Sequence, residues 1–140
     1  MDTSLPRPLF VYGTLMDADI RALVLGRQPG LRDAECAGAR AVFLPGRVYP
    51  GLLAAAGARA PGLLLDGLTS DEMAALDAYE GGEYTRRVIE VSSGGRSVEA
   101  QTYWPLAGLP GDSPGWSLAD WQRNHKAAML VEERRRLEAR

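Results

Sequence analysis

Cysteine, histidine and lysine are almost missing from this sequence: 140 residues contain one of each, Cys36, His125 and Lys126. A single cysteine closes no internal disulfide, so nothing points to an oxidising compartment. One cysteine and one histidine cannot build a His- or Cys-rich zinc site. With one lysine against 15 arginines, the formal net charge is −2 and the pI about 5.4. That balance argues against a general nucleic-acid binder, which carries a basic excess. Long hydrophobic runs are missing too. The most apolar stretch, Gly51 to Leu68, is broken by Arg59, Pro61, Asp66 and several glycines, and is too interrupted to span a membrane. The opening Met1 to Pro8 has no apolar core, so it does not read as a signal peptide. There is no internal repeat, Walker motif, G-x-G-x-x-G or H-E-x-x-H. What remains is one domain over residues 1–140, a cytoplasmic enzyme or binding module. Its 46% hydrophobic and 24% charged content is ordinary for a globular chain.

The pattern along the chain predicts an α+β fold, a mostly antiparallel, barrel-like sheet with two or three flanking helices. Leu9 to Tyr12 is a short apolar run that stops at Gly13 and reads as a buried strand. Asp17 to Gly26 has Ile20, Leu23 and Val24 at helical spacing, with Asp17 as cap and Gly26 as terminator. Ala34 to Leu44 is ambiguous, with a strand at Ala41–Leu44. Leu52–Ala56 and Gly62–Leu65 read as two strands around a turn at Gly57–Pro61. Thr69 and Glu72 are spaced as a capping box, opening a helix whose Met73, Leu76, Tyr79 and Glu80 share a face and which Gly81-Gly82 end. Tyr84–Val91 and Val98–Trp104 flank a hairpin at Ser92–Gly95. Leu106–Gly115 is a loop, and a C-terminal helix covers about residues 117–138.

Two places suggest chemistry. Glu80 falls at the end of its helix, where unpaired carbonyls disfavour a carboxylate, and on the inward face with Leu76. A buried acid there has a raised pKa and suits a general base near neutrality; the plainer reading is a solvated last-turn glutamate. Tyr12-Gly13-Thr14-Leu15 is a strand running through glycine into a helix N-terminus. Its free amides suit an anion or a developing oxyanion; the plainer reading is an ordinary turn whose glycine supplies positive φ. Gly111-Asp112-Ser113-Pro114-Gly115 matches G-x-S-x-G, but Pro114 lacks the N–H that the motif needs as oxyanion donor, so it reads as loop. His125 reads as a packed residue beside Trp121, Cys36 as a small buried hydrophobe, and Arg134-Arg135-Arg136 among Glu132, Glu133 and Glu138 as a solvated, ion-paired face.

Several segments resemble the gamma-glutamylcyclotransferase-like family, and in particular its avirulence-induced-gene-like branch. They are Phe10-Val11-Tyr12-Gly13-Thr14-Leu15 and, mid-chain, Leu76-Asp77-x-Tyr79-Glu80-Gly81-x-x-Tyr84-x-Arg86. Val48-Tyr49-Pro50-Gly51-Leu52, Thr102-Tyr103-Trp104 and the W-x-x-x-H of Trp121 to His125 add to them. The resemblance implies an antiparallel barrel with a pocket at one mouth. It also implies cyclisation of a γ-glutamyl group to 5-oxoproline with release of the attached amine. It places Glu80 on the catalytic glutamate and Tyr12, Gly13, Thr14 and Leu15 on the substrate-binding loop, with Tyr49 and Tyr103 as pocket walls. Met16-Asp17 departs from the basic residue or glycine that many relatives carry there, which bears on substrate preference. The implied partner is a small γ-glutamyl molecule, with no nucleic acid or membrane, and no metal or organic cofactor is expected. The other reading is a non-catalytic small-molecule-binding or interaction domain on the same scaffold.

Overall fold

A computed structural model of the chain describes residues 7–139. The elements are β1 (Leu9–Val11), a 3-10 turn (Thr14–Met16), α1 (Ala18–Leu25), β2 (Gly30–Phe43) and β3 (Pro50–Asp66), then α2 (Ser70–Glu80) and a second 3-10 turn (Gly81–Glu83), then β4 (Tyr84–Ser93), β5 (Arg96–Pro105), α3 (Leu118–Asn124) and α4 (Lys126–Glu138). The strands close a barrel in the order β1-β3-β2-β4-β5, so the α+β, barrel-like expectation holds. One pairing is parallel: Leu9 and Phe10 of β1 face Gln101 and Thr102 of β5. The Thr102 hydroxyl reinforces that seam by donating to the Phe10 carbonyl at 2.9 Å. At the opposite seam β2 and β4 meet through Glu35 and Ser92.

β1 divides the core by its alternation. Phe10 and Tyr12 pack with Cys36, Leu52, Ala60, Leu64 and Ala100 in one cluster. Leu9 and Val11 point the other way, into the layer beneath the helices with Ile20, Leu76 and Trp121. Gly62 makes the first cluster possible: a Cβ there would lie 2.4 Å from the Val11 carbonyl and 2.7 Å from the Phe10 ring. The helix signals hold locally. Asp17 caps α1 by accepting from the Asp19 and Ile20 amides, and Thr69 and Glu72 form the reciprocal capping box of α2. The β4–β5 hairpin turns through Gly94 and Gly95, both at positive φ, the conformation a tight two-residue hairpin requires.

Three expectations need correction. The strand expected at 41–44 is the end of a longer one: residues 34–43, ambiguous in sequence, belong to the 14-residue β2 (Gly30–Phe43). The two strands expected at 52–56 and 62–65 are one, β3, and Gly57–Pro61 does not reverse the chain. Ala37 pairs with Arg59 and Ala39 with Ala54, so residues 55–58 bulge out opposite Gly38 and the strand resumes on the same partner. Gly38 and Gly57 have φ +77 and +80, and a bulge uses such glycines as readily as a turn does. The C-terminal helix expected at 117–138 is two helices broken at His125, whose φ −133 and ψ −20 leave the helical region. His125 is half-buried at this break. The loop reading of 111–115 holds: the Ser113 hydroxyl donates to the Pro110 carbonyl at 2.6 Å.

Candidate active site

At one mouth of the barrel lies a cleft of about 230 Å3. The end of β1 and the 3-10 turn bring Tyr12, Gly13, Thr14 and Leu15 to it, the start of β3 brings Pro50 with Tyr49 before it, and β5 brings Tyr103. The end of α2 brings Glu80, 68 positions from Tyr12. All seven residues singled out from the sequence therefore line one cleft.

Glu80 is the last residue of α2, and Gly81 ends the helix at φ +75. Its side chain is half-buried, partly accessible through the mouth. No side-chain hydrogen bond or ion pair to a described residue holds it. Burial, with the Asp77 carboxylate adding to it, pushes its pKa up to about 8 from an ordinary 4.5. The direction agrees with the sequence reading. The main cause is desolvation, as the sequence reading expected of an inward-facing acid; the second is the Asp77 charge rather than the helix end.

The Gly13 turn also differs in detail. Gly13 has φ −122, which any residue adopts; glycine is required because a Cβ would lie 2.9 Å from Pro50 Cγ. No helix N-terminus follows directly, since α1 begins at Ala18 with its first amides taken by Asp17. The free donors belong to the 3-10 turn, whose leading amides at Gly13, Thr14 and Leu15 find no acceptor among the described residues.

The chain has five tyrosines, and all five line this cleft. Each hydroxyl is engaged away from Glu80. Tyr12 donates to the Tyr103 carbonyl at 2.5 Å and Tyr84 to the Pro50 carbonyl at 2.6 Å. Tyr103 donates to Asp77 Oδ1 at 2.7 Å, Tyr79 shares a 2.6 Å bond with Thr14 Oγ1, and Tyr49 donates to Glu83 Oε1. Burial raises the pKa of all five, Tyr49 to about 12, so they stay neutral and form an aromatic wall around an unpartnered acid.

Sequence reasoning missed the remaining wall. Tyr79 and Tyr84 lay inside the mid-chain motif without a task. Met129, Glu133 and Arg136 of α4 also line the cleft. From sequence the basic run reads as a solvated face, and Arg135 does pair with Glu132 at the surface. Glu133, however, is buried, with Arg136 Nη1 2.6 Å from its Oε1. The spacing of Met129, Glu133 and Arg136, on one side of two helical turns, is the signal that marks them. Gln122 and Lys126 seat this helix pair by donating to Asp17 Oδ2 at 2.8 and 2.9 Å. Among the described residues no helix is long and apolar enough to cross a membrane, and no three His, Cys, Asp or Glu side chains are grouped to hold a metal ion.

A small barrel with an acid and free amides at its mouth defines a class, and the comparisons place the chain in it. The model of the family described as Gamma-glutamyl cyclotransferase, AIG2-like matches residues 9–123. The chain belongs to that family. AIG2-like protein C of Arabidopsis thaliana is 31% identical over 135 residues, covering 94% of this chain and 78% of its own. AIG2-like protein A of the same plant is 32% identical over 125 residues, covering 87% and 76%. A solution structure of an Arabidopsis thaliana protein superposes with TM-score 0.68 at 31% identity, covering 95% of this chain and 91% of that one. A structure named Gamma-glutamyl cyclotransferase shares the fold, with TM-score 0.65 at 14% identity and coverage of 74% and 68%. α4 begins beyond the matched segment, so the wall it supplies lies outside the family match.

Proposed function

We propose that this chain is a γ-glutamyl cyclotransferase, converting a small γ-glutamyl amine or amino acid to 5-oxoproline and the free amine. The observation that carries the reading is the Glu80 carboxylate. It has no side-chain partner among the described residues, is poised near pKa 8, and shares its cleft with amides of Gly13 to Leu15 that find no acceptor among those residues.

The substrate brings its own nucleophile, the α-amine, and its own electrophile, the γ-carbonyl. Closing a five-membered lactam is intramolecular, so the protein has only to hold the chain folded. Ionised Glu80 removes a proton from the α-ammonium. The free amine attacks the γ-carbonyl carbon and the C–N bond of the ring forms. The developing oxyanion takes hydrogen bonds from the amides of the 3-10 turn, which are fixed before the reaction begins. The tetrahedral carbon then collapses, the original amide C–N bond breaks, and the leaving nitrogen takes up the proton held by Glu80. The ring nitrogen still carries a second surplus hydrogen. Glu80, ionised again by that transfer, takes it as the lactam forms and passes it to the released amine, which departs as the ammonium. The two protons lost by the α-nitrogen are the two gained by the leaving nitrogen, and no outside donor is needed. Tyrosine rings wall the cleft, and their hydroxyls, already engaged, do not compete for the Glu80 carboxylate.

A panel of γ-glutamyl amines and amino acids, assayed for 5-oxoproline, tests the reading. Release from at least one compound, abolished in Glu80→Gln, is the expected result. Binding of such compounds without release from any of them means a binding domain on the same scaffold.

A further inference from the structure

Asp77 and Arg86 belong to the mid-chain motif, yet the cyclisation as written gives neither of them a task. Asp77 stands on α2 one turn before Glu80, and its main-chain carbonyl accepts the Gly81 N–H that closes the helix. Its side-chain Oδ1 accepts the Tyr103 hydroxyl at 2.7 Å and lies 3.2 Å from Arg86 Nε. Arg86 and Tyr103 are register partners on β4 and β5, so two neighbours across one ladder converge on a single oxygen. Arg86 is steadied in turn by Nη1, which donates to Gln101 Oε1 at 3.0 Å.

An ion pair with side chains 38% and 42% exposed contributes little stability by itself. This one has a third member, Tyr103, buried on the wall of the cleft, and it stands one turn behind the reactive acid. The other groups facing Glu80 are neutral or already balanced. The five tyrosines are protonated, Glu83 pairs with Arg47, and Glu133 pairs with Arg136. Asp77 is the neighbouring carboxylate whose charge acts on Glu80.

We propose that Asp77, held by Arg86 and Tyr103, is a positioning residue for Glu80: it fixes the end of α2 against the barrel and keeps a negative charge one turn behind the reactive carboxylate. Arg86 balances part of that charge, so the pair sets how readily Glu80 gives up its proton. The inference rests on the reading of Glu80 as the proton-transferring residue.

The test is the titration of the Glu80 side-chain carboxyl, followed by carbon NMR in the native chain and in Asp77→Asn, Arg86→Met and Arg86→Lys. The pH dependence of kcat/KM for 5-oxoproline release is measured in parallel. Asp77→Asn removes the negative charge and is expected to move the titration down by roughly half to one pH unit. Arg86→Met leaves Asp77 unbalanced and is expected to move it up by a similar amount, while Arg86→Lys restores the native position. Opposite displacement is the signature, because a merely structural pair moves both variants the same way or neither. A titration unmoved in both variants, or displaced in the same direction, overturns the inference. Should one variant unfold, the sign in the other decides: a downward displacement in Asp77→Asn or an upward one in Arg86→Met supports the inference, and no displacement or the reverse sign overturns it. Failure of the native chain to release 5-oxoproline removes the cyclotransferase reading alone, since the NMR titration needs no turnover.

Discussion

Replacing Glu80 by glutamine should stabilise this protein, and the gain should depend on pH. The folded chain holds the Glu80 proton with a pKa of about 8, where the ordinary value is 4.5. Below the unfolded value both states are protonated and nothing is lost. As pH rises from there, the unfolded chain releases a proton that the folded one retains, so stability falls by about 1.4 kcal/mol per pH unit. The loss ends once the folded carboxyl ionises, near pH 8. At pH 7 the accumulated penalty is about 3 kcal/mol at most. Water entering the cleft lowers that, and a gain of about 1–3 kcal/mol for Glu80→Gln is expected. Glutamine keeps the shape and carries no charge, and no ion pair or hydrogen bond of the native carboxylate is given up. Urea melts of both proteins at about pH 4.5, 7 and 8.5 measure the difference. It should be near zero at the lowest pH and largest at the highest. A glutamine variant less stable than the native chain at neutral pH would show Glu80 to be a partner in a structural pair, and an equal gain at every pH would show that its ionisation carries no cost.

The other predictions concern the scaffold that holds the site. Gly62→Ala places a Cβ 2.4 Å from the Val11 carbonyl and should cost about 3 kcal/mol in denaturant melts; a neutral result would mean that β1 and β3 can separate freely. Asp17→Ala removes the cap of α1 and leaves Gln122 and Lys126 without their shared acceptor, so a loss of about 2 kcal/mol is expected. Burial acts to raise the Asp17 pKa, but hydrogen bonds from Gln122, Lys126 and Ile20 outweigh it and the net shift is downward. The Asp17 contribution should therefore be present above the unfolded aspartate value and fade as pH falls through the folded one. A native-minus-variant difference that grows on acidification contradicts this.

β1, the β4–β5 hairpin and the helix caps were legible because their signals are local. Asp17, Thr69 and Glu72 act within one helical turn, and the glycines of the β4–β5 hairpin force their turn. The glycines at Gly38 and Gly57 were not legible in the same way. Positive φ permits a turn or a bulge equally, and the choice depended on β2 being long enough to pair with both halves of β3. The break at His125 was hidden for a similar reason: its neighbours keep helical spacing on both sides. Within the site, Glu80 and the Gly13 turn were read from their own segments and from the family resemblance. Their shared cleft is a product of barrel closure. Glu133 and Arg136 were missed because charge is usually solvated, and the seating of α3 through Gln122 and of α4 through Lys126 on Asp17 turns that face inward. The engagement of all five tyrosine hydroxyls, which leaves Glu80 free, is a tertiary fact with no trace in spacing.

The central claim is that Glu80 moves the proton in a γ-glutamyl cyclisation. The most direct measurement is the pH dependence of kcat/KM for 5-oxoproline release, in the native chain and in Glu80→Gln. The native profile should rise through an ionisation near pH 8, because the base must be charged to accept the proton. Glu80→Gln should fall roughly 10²–10⁴-fold and lose that limb. A glutamine variant with native turnover, or one that keeps the same limb, contradicts the assignment.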